Sequence, residues 1–532
     1  MADRTSWWQR GVIYQIYPRS FMDASGDGVG DLRGIADRLD YLEWLGVEAV
    51  WISPFYPSPM ADFGYDITDH TAVHPLFGDL EDFDALVEEA HRLGIRVLLD
   101  YVPCHTSAEH PWFVESRSAR DNPKRDWYIW CDPAPDGGPP NNWVAMFGGA
   151  AWTFDEGTGQ YYNHAHLVEQ PDLNWRNRAV REAMLGVMRF WLERGVDGFR
   201  VDALRHLIKD EKLRDNPPNP DYRPGDRPFD ALLPVYNTDR PEIHDAIREM
   251  RRLLDAYGDT TMVGELYLPI ERLVAYYGEN GSGVHLPANF HLISTPWNAR
   301  EISALIDAYE GVLPPCAWPN WVLGNHDRSR VATRVGTAQA RVAAMLLLTL
   351  RGTPTIYYGD EIGMHDVRIP PEGVQDPFEK QTPGLGYGRD PARTPMQWTP
   401  DRNAGFCPPA ADPWLPLADD YRAVNVAAER EDPTSTLTLH RRLLALRRAE
   451  PALAVGSYEP VMAAGDLLAY AREHHGRRFL VALNLGHEPL SSEAPAFEGR
   501  VALSTRLDRE GEEVVGGVLR LRGDEGVVIE GV

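Results

Sequence analysis

Cysteine is scarce in this 532-residue sequence. Its four cysteines, Cys104, Cys131, Cys316 and Cys407, lie far apart and without metal-ligand spacing. That pattern excludes a disulfide scaffold and a thiolate metal centre, and it predicts free thiols in a reducing cytoplasm. Long apolar runs are missing as well. None reaches the roughly 18 residues of a membrane-spanning helix, and the longest, AAMLLLTL at residues 343–350, reads as a buried helix. The start, MADRTSWWQRGVIYQ, carries no apolar stretch of signal-peptide length. Positive charge is outweighed: 53 Lys and Arg against 79 Asp and Glu give a net charge of −26. Such acidity argues against nucleic acid and against an acidic membrane as partners. Internal repeats and low-complexity tracts are absent.

What is present is an apolar content of 43% and sixteen Trp, enough to bury large cores, and a length that calls for two or three domains. Short apolar, β-branched runs alternate with amphipathic stretches. GVIYQIYP (11–18), VEAVWISP (47–54) and IRVLLDYVP (95–103) read as strands, separated by the helical DLRGIADRLDYLEWLG and DLEDFDALVEEAHRLG. Further strand candidates are GFRVDA (198–203), TTMVGELY (260–267), PANFHLI (287–293), NWVLGNHD (320–327) and TPTIYYGDE (353–361). Strands apolar throughout belong in a parallel sheet buried on both faces. Eight of them, mostly separated by helices, predict an α/β fold, a (β/α)8 TIM barrel. The barrel is expected over residues 1–103 and 175–455. Residues 104–174, rich in Pro, Asn, Trp and Gly, read as a subdomain inserted after strand three. Residues 456–532 alternate in period two and read as a C-terminal antiparallel β-sandwich domain.

In such a barrel the active site lies at the C-terminal ends of the strands. That rim receives Asp66 (FGYD), His105 (CHTS), Arg200 and Asp202 (GFRVDA), Glu265 (VGEL), and His326 and Asp327 (GNHD). Like charges crowded into a cleft are destabilising unless a cation or catalysis requires them. Several carboxylates with histidines suit hydrolysis at a sugar carbon. Retention there needs a carboxylate nucleophile and a protonated carboxyl about 5–5.5 Å apart. A third carboxylate can raise the acid's pKa and hold hydroxyls. Arg200, two residues before Asp202, shares its strand face and can keep it ionised.

The ordered set QIYPRSF, DGVGDL, GYD, HTS, GFRVDA, GE, NHD and RDPARTPMQW resembles the α-amylase clan of glycoside hydrolases, and within it the bacterial α-glucosidase and oligo-1,6-glucosidase branch. The resemblance runs from about Trp7 to the C-terminus. It implies Asp202 as nucleophile, Glu265 as acid/base and Asp327 as transition-state stabiliser. It also implies a glucose pocket of Asp66, His105, Arg200 and His326. An arginine of RDPARTPMQW, Arg393 with Arg389 as the alternative, is then expected to pair with Asp66 and close the pocket, so that cleavage is exo. One departure is visible: many relatives carry Asn before HTS and many amylases use it to bind calcium, whereas this chain has Cys104, a poor calcium ligand.

The stretch DASGDGVGD at 23–31 offers oxygens from Asp23, Ser25, Asp27, the Val29 carbonyl and Asp31. These suit a hard cation. Position twelve is Gly34, not Glu, so this is no EF-hand, and the residues alone leave a plain Asp-Gly turn equally open. The resemblance implies a structural Ca or Mg ion that takes no part in chemistry. It also ties Ala203, after the nucleophile, to α-1,4-linked substrates such as maltose, with sucrose next. The expected partners are small α-glucosides. Oligo-1,6-glucosidase, sucrose isomerase, trehalose synthase and transglucosylation remain rivals. Trehalose-6-phosphate hydrolase would need a basic cluster, which the loops do not display. An inactive binding relative would have lost a catalytic carboxylate, and all three are present.

Overall fold

The structure, a computed structural model, describes residues 5–493 and 497–531. Residues 1–4 and 532, the outer ends of the expected barrel and C-terminal units, and 494–496 lie outside the described residues. Each of the eight strand segments supplies one barrel strand. These are β1 (Ile13–Ile16), β2 (Ala49–Ile52), β3 (Arg96–Tyr101), β4 (Gly198–Val201), β5 (Thr261–Leu266), β6 (Leu286–Asn289), β7 (Asn320–Val322) and β8 (Thr353–Tyr357). All neighbours are parallel, and β8 pairs back onto β1 to close the barrel. The strands carry no polar stripe because both faces are covered.

Helices wrap the outside. Leu80–Arg92 is begun by Asp79, whose carboxylate accepts from the N–H groups of Glu81 (2.9 Å) and Asp82 (3.0 Å). Phe83, Leu86, Val87 and Ala90, three and four residues apart, form its buried face. Two expectations needed correction. DLRGIADRLDYLEWLG is two helices, Leu32–Ala36 and Leu39–Leu45. The break is at Arg38, which leaves helical dihedrals (φ −113°, ψ 4°) and lays its guanidinium on Trp398, 4.5 Å from the ring centre. The sixth strand stops at Asn289, whose side chain accepts from the His291 N–H (3.0 Å) and starts a helical turn, His291–Ser294.

Within the inserted stretch, Trp130–Cys131, Trp152–Asp155 and Gln160–Asn163 form a three-stranded antiparallel sheet. The C-terminal part holds a six-stranded antiparallel sheet and the pair Leu490–Glu493 with Val518–Leu521. A buried arginine fastens it to the barrel: Arg472 donates to Leu453 O (2.9 Å) and to Thr349 O.

Candidate active site

Strand register builds the centre of the site. Asp100 in β3 pairs with Arg200 in β4, so the two side chains stand side by side in the barrel. Arg200 is 2% exposed and its guanidinium meets three carboxylates. Nη1 lies 2.7 Å from Asp100 Oδ1 and 2.7 Å from Asp202 Oδ1, and Nη2 lies 3.1 Å from Glu265 Oε2. Trp51 covers the cation, 4.9 Å from its ring centre. Three carboxylates around one cation do not all ionise freely. Burial pushes Asp202 up, Glu265 and Asp100 add to this, and Arg200 opposes it. Burial likewise pushes Asp100 up to about 6 against Arg200. Burial thus works against ionisation of Asp202 and Asp100, and Arg200 works for it.

His326, after β7, is held by a chain of hydrogen bonds. Gln15 Nε2 donates to its Nδ1 (2.8 Å), and its Nε2 contacts Tyr65 Oη (2.8 Å). Tyr65 in turn donates to Asp100 Oδ2 (2.9 Å). With Gln15 Nε2 donating to Nδ1 and the Tyr65 hydroxyl proton given to Asp100, this network holds His326 neutral with its proton on Nε2. Burial pushes its pKa down to about 3, which agrees. Asp327 behaves oppositely. Burial raises its pKa, but the His326 ring, Arg389 and Arg393 hold it well below the usual carboxylate range. It stays an anion.

The expected closure by Asp66 and Arg393 is not what the chain forms. Asp66 spends both oxygens on its own loop, accepting from Ser58 Oγ (2.8 Å), Asp62 N (2.9 Å) and Ala61 N (2.9 Å). It is fully buried beneath that loop and does not line the cavity. The loop instead presents Asp62, whose Oδ1 lies 2.7 Å from Arg389 Nη2. Arg389 also pairs with Asp376 (2.6 Å) and Asp327 (3.3 Å). Arg393 donates to His326 O (2.7 Å) and Asp327 Oδ1 (3.1 Å), so it shapes the back of the pocket. Arg389→Ala would strand the Asp62 and Asp376 carboxylates in a buried setting. We expect a loss of about 3–5 kcal/mol in unfolding free energy, read by urea titration; a loss below 1 kcal/mol would deny that Arg389 is the keystone.

His105 sits against the same pair, with Gln170 Nε2 bridging its Nε2 (3.1 Å) and Asp62 Oδ2 (3.2 Å). Behind it, Cys104, His105, His166 and Asp172 converge. The Lys209 ammonium occupies this corner, 2.8 Å from Asp172 Oδ2, and donates to His206 O. Burial lowers the Lys209 pKa but Asp172 more than offsets that, so the charge is kept.

Asp62, His105, Asp202, Glu265, Asp327 and Arg389 line, with others, one cavity of about 1240 Å3, whereas Asp66, Asp100, Arg200 and Arg393 do not. Its wall also carries Phe229, Leu233, Tyr267, Phe290, Phe378 and five further arginines, Arg205, Arg227, Arg328, Arg334 and Arg368. The fold thus gathers a basic set that the sequence, scattering it over 160 residues, does not display. Arg227 is paired with Asp230 (2.8 Å) and Arg205 donates to Tyr267 O (2.5 Å).

The 23–31 loop lies after β1. Asp23 accepts from Gly26 N (2.6 Å), Gly28 N (2.8 Å) and Ser25 Oγ (3.1 Å). Asp31 accepts from Ser25 N (2.8 Å) and Gly34 N (2.7 Å), and Asp27 from Val29 N (2.9 Å). Asp23 and Asp31 are 2% and 4% exposed, and burial plus the Asp23 charge raises Asp31. Among the described residues these carboxylates accept hydrogen bonds from backbone N–H groups and Ser25, not from a cationic side chain. Two buried carboxylates without a cationic side-chain partner, beside the oxygens of Ser25, Asp27 and Val29, suit a hard divalent ion.

A barrel with three carboxylates and a neutral histidine at the C-terminal ends of its strands defines a sugar-processing class, and comparison with known proteins gives it a family. The chain belongs to the α-amylase family: residues 15–456 match its catalytic domain. It is 43% identical to a probable α-glucosidase of Rhizobium meliloti (strain 1021), covering 95% of each chain. It is 39% identical to the oligo-1,6-glucosidase of Heyndrickxia coagulans over 95% of this chain and 96% of that one. Among solved structures, the α-glucosyl transfer enzyme XgtA superposes with a TM-score of 0.94 at 43% identity, covering 99% of this chain and all of that one.

Proposed function

We propose that the protein is a retaining, exo-acting α-glucosidase that releases the non-reducing-end glucose of short α-1,4-linked substrates such as maltose. The observation that carries this reading is one guanidinium touching both Asp202 and Glu265 in a cavity bounded by the Arg389–Asp62 pair. A shared cation favours the short separation of a retaining pair over the 6.5–9.5 Å of an inverting one. Asp202, with Oδ1 engaged by Arg200, attacks the anomeric carbon. Glu265 delivers its proton to the departing oxygen, and a glucosyl ester forms. Water then gives its proton to Glu265 and displaces Asp202. Asp327, an anion throughout, stabilises positive charge at the sugar ring. Asp62, His105, His326 and Arg389 surround the glucose.

Transfer to a sugar in place of water uses the same ester, and the likeness to an α-glucosyl transfer enzyme supports it as a second product channel. Cytoplasmic residence is part of the proposal and rests on the unpaired cysteines; among the described residues no helix is long and apolar enough to cross a membrane. The test is product analysis on maltose, isomaltose, sucrose, trehalose and trehalose 6-phosphate. Glucose from maltose, at a higher kcat/KM than from isomaltose, is expected. Preference for the phosphorylated sugar would transfer the role of the wall arginines to phosphate recognition and overturn the assignment.

The 23–31 loop is proposed to hold Ca2+ or Mg2+ through Asp23, Ser25, Asp27, the Val29 carbonyl and Asp31. An ion bound only by the native state stabilises it by mass action, about 2.7 kcal/mol at one hundred times Kd. Chelation is therefore expected to lower Tm while leaving the Asp202 and Glu265 chemistry unchanged. Absence of metal by elemental analysis, with an unaltered Tm in Asp27→Ala, would reject the site.

A further inference from the structure

Between β4 and the turn Leu204–His206 the chain passes through Ala203, which adopts the left-handed conformation, φ 46° and ψ 33°. A residue with a side chain takes that conformation only when its surroundings impose it. At the start of this turn the Ala203 N–H donates to Glu265 Oε2, at 2.7 Å. That is a short bond for an amide, as expected when the acceptor carries charge. The approach is fixed from the other side by Gly264, where an added Cβ would lie 2.9 Å from Leu204 Cδ2. The absence of a side chain before Glu265 thus lets the turn press against β5.

Oε2 therefore accepts the Ala203 N–H and faces the Arg200 guanidinium, whose Nη2 lies 3.1 Å away. Oε1 accepts no hydrogen bond among the described residues, and Glu265 lines the cavity. We infer that Ala203 is a positioning residue whose main-chain N–H, held by the left-handed turn, fixes the Glu265 carboxyl so that its proton resides on Oε1, facing the substrate. This deepens the reading of Glu265 as acid/base and rests on it. When a carboxylic acid is protonated, its hydroxyl oxygen is a weak acceptor and its carbonyl oxygen a good one. The Ala203 N–H and the adjacent Arg200 charge on Oε2 make it the carbonyl oxygen. The protonated oxygen is then Oε1. In the first step the bond from the anomeric carbon to the leaving oxygen breaks, the Asp202 ester bond forms, and the Oε1 proton moves to the leaving oxygen. In the second, water loses a proton to Oε1, forms its bond to the anomeric carbon, and the ester bond breaks with its electrons on Asp202.

The donor alone is removed by replacing Ala203 with its α-hydroxy acid, lactic acid, through nonsense suppression, which keeps the methyl group and converts one amide into an ester. Rates are measured on aryl α-glucosides of similar shape, from p-nitrophenyl to phenyl, for the wild type, this form, Ala203→Gly and Glu265→Gln. A carboxyl that presents its proton poorly matters most when the leaving group is basic. The ester form is expected to lose about tenfold or more on phenyl α-glucoside and less than about threefold on p-nitrophenyl α-glucoside. Ala203→Gly, which adopts the same dihedrals freely, is expected to keep the wild-type dependence on leaving group. Equal losses across the series in the ester form, or none, would overturn the positioning role. If Glu265→Gln itself showed no leaving-group dependence, the acid/base reading would fall and this inference with it.

Discussion

Asp202→Asn leaves a folded protein that turns over α-glucosides by roughly 10⁴-fold or more slower than the wild type, the scale of loss when a nucleophile is removed from a preorganised site. The side chain follows β4 directly, and its N–H still donates to Tyr101 O (2.8 Å), so the backbone keeps its place. The amide oxygen of Asn can still accept from Arg200. Arg200 also keeps Asp100 and Glu265 as partners, so no buried charge is stranded. What is lost is the anionic oxygen that would bond the anomeric carbon. The check is kcat on p-nitrophenyl α-glucoside together with Tm. Near wild-type turnover from purified protein would remove Asp202 from the chemistry.

Glu265→Gln separates the acid's task from the nucleophile's. Gln keeps the carbonyl oxygen that accepts from the Ala203 N–H but carries no transferable proton. General acid catalysis is typically worth 10²–10⁴-fold, and the dependence grows with the basicity of the departing oxygen. Maltose, which leaves as a sugar alkoxide, is expected to lose about that full range. A p-nitrophenyl glucoside, whose phenolate leaves unaided, is expected to lose no more than about tenfold at the bond-breaking step. An equal fall on both would assign Glu265 to holding charge around Arg200 instead.

The barrel was legible in the sequence because each of its strands is buried on both faces, which leaves an unbroken apolar run bounded by turns. Asp202, Glu265 and Asp327 were legible because they end such runs, where a charge has no packing reason to be. Asp100 escaped notice although the same signal marks it, a carboxylate closing the apolar LLDY of β3. The Asp62–Arg389 pair was harder. Both ADFGYD and RDPAR hold two residues of the right charge, and spacing does not say which one a loop turns inward. That choice is made by Ser58 and the amides of Ala61 and Asp62, which take Asp66 for the loop's own closure. From the inserted stretch His166 reaches the pocket and Gln170 holds His105 and Asp62, and no periodicity there announces a side chain's direction. The left-handed turn at Ala203 was invisible for another reason: an alanine gives no sign of unusual dihedrals, which here are imposed by packing against Gly264.

The central claim, retaining cleavage of a single terminal glucose, meets its most direct test in p-nitrophenyl α-maltoside followed by proton NMR from the first turnovers. A covalent Asp202 intermediate formed in a pocket closed by Arg389 and Asp62 requires that glucose appear first as the α-anomer, alongside p-nitrophenyl α-glucoside. Glucose released as the β-anomer, or maltose released with nitrophenol as the first products, would contradict it.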